Sequence, residues 1–485
     1  MKEIVIDPVT RLEGHGKITI YLNDAGNVEN AYFQVPELRG FERFCEGRRA
    51  EDLPIITTRI CGVCPVAHHM AGAKALDAAF NVAPTETAKK LRELEYVCYY
   101  IYDHILHFYF LGGPDFVVGP DAPPAKRNIL GVIEKVGLDI AKEVIKHRAY
   151  GQKITGIIGG RPTHPVSACI PGGIAKALSE EERQEIEKMV RSCVEFGKFS
   201  LKLFHDVVLK NVDYVNLIKS DPYNLQTYYM GTVDQNNKVN FYDGDIRVVD
   251  PTGTEFVKFA PHEYLDVIRE HVEPWTYVKL PYLKKIGWKG LTTGPDSGIY
   301  RVGPLGRLNA AEGMATPLAQ EEYEFMYKTL GGKPVHATLA FHWARLIELM
   351  YATERALELI TDKAITSKDI KNKPGNPGEG VGIVEAARGT LIHHYQLDAN
   401  ALAKKVNLVV ATTHNAPGIC MSIKNAAKGL IHNGEVNQGL LNMVEMAFRA
   451  YDPCFACATH FAIGEMPLEA KIFDNEKRLV KTIRR

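Results

Sequence analysis

RICGVCPVAHH, residues 59–69, and DPCFACATH, residues 452–460, each carry a Cys-x-x-Cys pair, and they stand almost at opposite ends of a 485-residue chain. A zinc ribbon closes a small loop and needs its two pairs about 15 to 20 residues apart. Here 389 residues separate Cys64 from Cys454, so a local zinc staple does not fit. If the four sulfurs meet, they do so inside a large fold, as a soft site for nickel, iron or zinc. Spacing alone leaves open two unrelated pairs, one structural and one redox. Pro65 opens VAHHMAGAKALDAAF and reads as the first position of a helix, which puts Cys64 at its N-terminus, where the dipole favours thiolate. His68 lies one turn further on the same face and is expected to donate a hydrogen bond to the Cys64 sulfur. Asp452 and Pro453 end the amphipathic run NQGLLNMVEMAFRAY, so Cys454 and Cys457 fall just beyond a helix.

Outward from these pairs the chain reads as mainly α with peripheral β ribbons, an α+β protein around a central bundle of long helices. KITIYLNDAGNVENAYFQV alternates on both sides of the Asp24–Asn27 turn and predicts a hairpin. Apolar spacing predicts a buried helix over 86–111, and the capping box Ser179-x-x-Glu182 opens another that runs to about Leu209. Helical periodicity returns over 316–360 and 434–450, while about 225–300 breaks into short strands and turns, a β-rich insertion. With no repeat and no linker, the chain reads as one large domain rather than several.

Composition excludes several classes of function. Lys plus Arg and Asp plus Glu both total 58, so nothing suggests a nucleic-acid partner. No uncharged apolar run reaches the length of about 18 residues that a membrane span needs, and MKEIVIDPVTRLEGH has no signal-peptide core. A cytoplasmic location follows, in which nine cysteines read as metal or redox chemistry rather than disulfides. Several charged residues are set in apolar surroundings: Glu13 beside His15, Asp103 in mid-helix, Arg345 with Glu348, and Arg388. Each is a structural ion pair or part of a site, because an unpaired buried charge is costly.

Taken with the cysteine pairs, these residues form a pattern. R-x-E-G-H (11–15), L-R-G-F-E (38–42), R-I-C-G-V-C (59–64), D-H-x-x-H-F-Y (103–109), G-G-R-x-x-H-P with a later P-G-G (159–173), G-P-L-G-R-L (303–308), E-A-A-R-G-T-L (385–391) and D-P-C-x-x-C-x-x-H (452–460) follow one another in order. The chain resembles the large, catalytic subunit of nickel-iron hydrogenases. A quinone-binding respiratory relative shares the fold and lacks the metal ligands, and the four cysteines argue against it. Within the family the likeness is greatest to the cytoplasmic bidirectional class, of the methyl-viologen-reducing type that feeds heterodisulfide reductase.

The resemblance implies reversible heterolytic cleavage of dihydrogen at a nickel–iron centre whose iron carries cyanide and carbon monoxide. Cys61 and Cys454 would be terminal ligands and Cys64 and Cys457 bridging ones, with Cys454 as the base that takes the proton. Arg388, held by Asp103 and Asp452, would lie over the open position and hydrogen-bond a cyanide, with Thr412 a further cofactor-binding residue; being always protonated, Arg388 acts electrostatically. His68 joins the catalytic set, and Glu13 would carry the proton away, a task suited to a carboxyl whose affinity burial raises. Glu42, the Leu408 carbonyl and His460 match a second site for magnesium or ferrous iron.

Cys45, Cys98, Cys169, Cys193 and Cys420 show no cluster spacing, so the resemblance implies a partner small subunit with iron-sulfur clusters. Beyond it come a further electron-transfer subunit, then heterodisulfide reductase or a similar acceptor. It also implies that residues 1–460 form a single large catalytic domain and that residues 461–485 are a C-terminal propeptide, removed by a maturation endopeptidase. The chain departs from the family pattern at Ala387 and Ala411, where many members have proline, and at His414, where many have tryptophan.

Overall fold

Four helices of more than twenty residues make the centre of the molecule: Glu86–Leu106, Leu138–Gly159, Glu180–Phe204 and Phe341–Thr361. In this computed structural model, which describes residues 2–459, 469–474, 476 and 478–484, they pack as a bundle. Glu86–Leu106 lies between Leu138–Gly159 and Phe341–Thr361, and Glu180–Phe204 closes the other side against both. Their starts are set locally: the Thr85 hydroxyl accepts from the Ala88 N–H, and Ser179 and Glu182 cap one another reciprocally. From Leu91 to Ile105 every residue of the first helix is buried, including Arg92, Glu95 and Asp103, so it runs through the core.

The two helices expected to reach 111 and 209 hold α geometry only to Leu106 and Phe204, then widen into π-type turns over His107–Gly112 and His205–Leu209. The helical stretch expected over 316–360 is two helices, Pro317–Leu330 and Phe341–Thr361. Gly331 and Gly332, both at positive φ, separate them, a conformation that ends a helix and that side-chain periodicity does not report.

The ribbons surround this bundle. β1 (Lys2–Ile6), β2 (Lys17–Leu22) and β3 (Val28–Gln34) form an antiparallel sheet in chain order, so the expected hairpin gains a third strand. β4 (Tyr228–Val233), β5 (Asp245–Val249) and β6 (Glu255–Phe259) are antiparallel neighbours; β7 (Ile268–His271) and β8 (Leu280–Leu283) pair with each other; and β9 (Tyr300–Arg301) joins β4 in parallel. β10 (Glu379–Ala386), β11 (Gly389–Leu397) and β12 (Ala403–Val409) make an antiparallel meander. A further pair, Glu469–Phe473 with Leu479–Arg484, lies beyond residue 460.

β10 lies against the Pro65–Ala79 helix so closely that a Cβ at Gly382 would collide with the Ala71 carbonyl oxygen. Alanines on the helix and glycines on the strand permit that approach, and it brings the β10–β11 turn to the level of Cys64. Among the described residues no helix is long and apolar enough to cross a membrane.

Candidate metal centre

Cys61 follows the short turn Thr57–Ile60 and receives the Val63 N–H at 3.2 Å, while Cys64 caps the Pro65–Ala79 helix. The second pair arrives from the opposite end of the chain. After the Gln438–Arg449 helix the backbone turns at Asp452, with φ of 56°, a left-handed conformation that aspartate tolerates better than most residues. The R-x-E-G-H segment runs alongside as a bridge: the Glu13 N–H donates to the Pro453 carbonyl at 3.2 Å, and the Phe455 N–H to the Glu13 carbonyl at 3.0 Å. Thr412 supports the same turn, its Oγ1 accepting from the Cys454 N–H at 3.0 Å.

The result is convergence. Cys61 Sγ lies 3.4 Å from Cys454 Sγ, Cys64 Sγ 3.3 Å from Cys457 Sγ, and Cys454 Sγ 2.7 Å from Cys457 Sγ. All four Sγ atoms fall within 4.8 Å of one another, and all four residues are buried. No pair is a disulfide. Burial holds the Cys454 and Cys457 thiols up, whereas hydrogen bonds from Cys454 draw the Cys61 thiol well down. Four thiolates this close repel one another, and a bound cation is what lets all of them deprotonate. Donor set, burial and spacing therefore fit a soft transition metal.

Charged groups ring the sulfurs. Arg388 occupies the two-residue turn between β10 and β11; its Nη1 lies 3.0 Å from Asp103 Oδ2 and its Nη2 3.0 Å from Asp452 Oδ2. Burial opposes charge on this guanidinium, but the two carboxylates outweigh it and keep its pKa high. Asp452 is itself pushed up to about 7, by burial first. The Cys454 thiol donates to Glu13 Oε2 at 2.9 Å, and that carboxyl is raised by burial and then by the charge on Cys61. Arg388 Nε and Asp103 Oδ1 are buried without hydrogen-bond partners.

Other expected residues fall differently. His68 does not donate to Cys64: its Nδ1 lies 3.1 Å from His393 Nε2, its Nε2 has no partner, and burial lowers its pKa to about 4. His15 is exposed and pairs with Glu37 rather than sharing Glu13's surroundings. Glu348 does not pair with Arg345, three residues before it; it binds Arg307 and His104, and the Arg345 Nη2 donates instead to the Ala450 carbonyl. Local spacing offered Arg345, but a fully desolvated carboxylate takes the partner with the better geometry. Of the second site, Glu42 is buried and its Oε1 accepts from the Leu408 N–H at 2.7 Å; His460 lies outside the described residues. Ala387 and Ala411 are buried, and His414 Nδ1 lies 2.6 Å from the Tyr300 hydroxyl. Two residues around the Arg388 turn were missed: Arg307, whose Nη1 donates to the Ala386 carbonyl, and Asn415, whose Nδ2 donates to the Arg388 carbonyl at 3.2 Å; their sequence signal, G-P-L-G-R-L and an asparagine within a helix, does not say what they touch.

The family described as Nickel-dependent hydrogenase matches residues 39–127 and 142–460, and one described as HoxL-like matches residues 3–38. The chain is 49% identical to an F420-non-reducing hydrogenase iron-sulfur subunit of Archaeoglobus profundus over the full length of both. It is 42% identical to an F420-non-reducing hydrogenase subunit of Methanothermobacter thermautotrophicus, again over all of both chains. To the NAD-reducing hydrogenase HoxS subunit beta of Cupriavidus necator it is 38% identical over 99% of each. Among solved structures, an NAD+-reducing [NiFe]-hydrogenase in the H2-reduced state superposes with a TM-score of 0.89 at 35% identity, covering 95% of this chain and 100% of that one.

Fold, four-sulfur site and these likenesses define a metal-dependent oxidoreductase. The chain belongs to the nickel-dependent hydrogenase family, as a large, catalytic subunit of a nickel-iron hydrogenase. The quinone-module and zinc-staple readings are not favoured.

Proposed function

We propose that Cys61, Cys64, Cys454 and Cys457 would hold a nickel–iron centre, and that the surrounding side chains divide proton, charge and ligand handling among them. The observation that carries this is the approach of four buried Sγ atoms to within 4.8 Å from two pairs 389 residues apart. When bound, such a centre would supply redox-active nickel and low-spin iron for the heterolytic cleavage of dihydrogen, whose overall products are two protons and two electrons.

Cys454 is the proton acceptor, and its 2.9 Å hydrogen bond to Glu13 supplies the next step. A carboxyl raised by burial is suited to hold a proton in transit and release it. Arg388 stays protonated between Asp103 and Asp452 and offers a fixed positive field, with its unpartnered Nε–H free for a ligand on iron. Thr412 uses its oxygen to accept from the Cys454 N–H, which leaves its hydroxyl hydrogen for a second ligand. Cyanide on iron, a strong hydrogen-bond acceptor, suits such donors, whereas a zinc staple has no use for them. His68, kept neutral by burial, lies one helical turn from Cys64 and orients that side of the site through His393.

Glu42, the Leu408 carbonyl and His460 form a second, hard-ion site for magnesium or ferrous iron. Cys45, Cys98, Cys193 and Cys420 are buried apart from the centre and Cys169 is partly so, and burial raises all five thiols. They act as core residues, so electrons leave through a small iron-sulfur subunit, then through a further electron-transfer module, of which heterodisulfide reductase is one type. Residues 461–485 are a propeptide cut by a maturation endopeptidase, and the enzyme works in the cytoplasm. Metal analysis of the complex purified from its native host, joined to infrared spectroscopy in the cyanide and carbonyl stretching region, tests the centre. One nickel per large subunit, iron in excess of nickel because the clusters add to it, and those bands are the expected result; zinc alone with no nickel and no bands overturns it.

A further inference from the structure

The turn that carries Arg388 is gripped from behind by a second buried arginine. Arg307, on the Gly303–Ala310 helix, is fully buried and uses every N–H it has. Its Nε donates to Glu348 Oε1 at 2.5 Å and its Nη2 to Glu348 Oε2 at 2.7 Å and the Ala387 carbonyl at 3.2 Å. Its Nη1 donates to Glu385 Oε2 at 2.7 Å and to the Ala386 carbonyl at 2.8 Å. Five donors meet five acceptors, the full capacity of a guanidinium. Ala386 and Ala387 immediately precede Arg388.

We propose that Arg307 is a positioning residue for the hydrogenase reaction: its planar fork fixes the carbonyls before Arg388 and thereby holds the Arg388 guanidinium between Asp103 and Asp452. The inference rests on the reading of Arg388 given above. Three observations support it. The Glu348 carboxylate that pairs with Arg307 also lies 2.9 Å from Nε2 of His104, the neighbour of Asp103, so both halves of the Arg388–Asp103 pair hang on one carboxylate. Gly303, with φ of 83°, starts the helix so close to the turn that a Cβ there would lie 2.9 Å from the Arg388 carbonyl oxygen. No water competes, because Arg307, Glu348 and Glu385 are all at 0% exposure. A lysine carries the same charge with three tetrahedral donors and cannot make these five bonds.

The test is Arg307→Lys in the complete enzyme from its native host, beside Arg388→Lys and the double variant. Expected are unchanged nickel and iron, turnover per nickel lower by about 10- to 100-fold, and shifted cyanide stretching bands. Amide exchange should quicken in the peptide spanning 383–392 and not elsewhere. Because Arg307 acts through Arg388, the losses should not multiply in the double variant. Wild-type turnover per nickel with unmoved bands, or losses that multiply, overturns the positioning role. Should Arg307→Lys fail to load nickel, Glu348→Gln, which keeps the shape and removes the charge, carries the same measurements to the same two outcomes. If Arg388→Lys alone keeps wild-type turnover, the reading of Arg388 has failed, and with it the proposal; a normal loss there beside a silent Arg307→Lys sinks only the positioning role.

Discussion

Two buried arginines, each between two carboxylates, lie side by side in this molecule and differ in one respect. Arg307, between Glu348 and Glu385, has all five donors paired, and Glu385 Oε1 takes three more bonds from Thr232 and Thr390. Arg388, between Asp103 and Asp452, leaves its Nε and Asp103 Oδ1 without partners. An unpaired buried polar atom costs about 1 to 3 kcal/mol, and a fold does not leave several together without a use for them. The saturated cluster is scaffold. The unsaturated one, beside four sulfurs, is where a further group belongs.

That contrast can be broken in several ways. The largest effect is expected of Cys454→Ser, which removes a ligand and the proposed proton acceptor: nickel content and hydrogen turnover should both fall below detection by metal analysis and a gas-uptake assay. Next comes the saturated side. Glu348→Ala strands the buried Arg307 charge and leaves the neutral His104 ring without its partner, and should lower stability by about 3 to 5 kcal/mol, read as a reduced thermal midpoint of the metal-loaded enzyme. A stability change under about 1 kcal/mol would remove the distinction drawn between the two clusters.

Arg388→Lys should do the opposite, leaving the thermal midpoint and nickel near wild type while turnover drops about 100-fold or more, as when one preorganised electrostatic donor is lost. Glu13→Gln, which keeps the hydrogen-bonding shape and removes the titratable oxygen, should slow hydrogen–deuterium exchange with solvent by about 100-fold with metals in place. Nickel loss in that variant would make Glu13 a structural residue.

The mildest effect concerns pH near neutrality. Burial holds His68, His69 and His104 at a pKa of about 4 and His342 and His414 at about 3 in the folded chain, against 6.5 otherwise. Below 6.5 the unfolded chain therefore binds protons that the folded one refuses. The stability these five histidines contribute is fully present above that value and is lost as pH falls from 6.5 towards 4. With five such rings the thermal midpoint should decline progressively as pH falls below about 6.5.

Much of the site was readable before any coordinates, and the reason differs by residue. The two cysteine pairs, Glu13 and Arg388 announce themselves through motifs whose residue types have few other uses together. The expected bond from His68 to Cys64 and the pairing of Arg345 with Glu348 failed because both relied on helical neighbours within one turn. In a core, the partner is whichever group the opposing element delivers. For His68 it came from β11 and for Glu348 from a helix 41 residues back.

By itself the sequence determined the helical character, the soft donor set and the family, because apolar periodicity, Cys-x-x-Cys spacing and motif order are local properties that need no partner. Only the tertiary structure decided which charges are satisfied and which are left open. It brought Cys61 to Cys454 across 393 positions, laid the R-x-E-G-H segment against that second pair, and set Arg307 behind Arg388. Hydrogen-bond saturation belongs to pairs of elements, and the chain written as a line holds no record of those pairs.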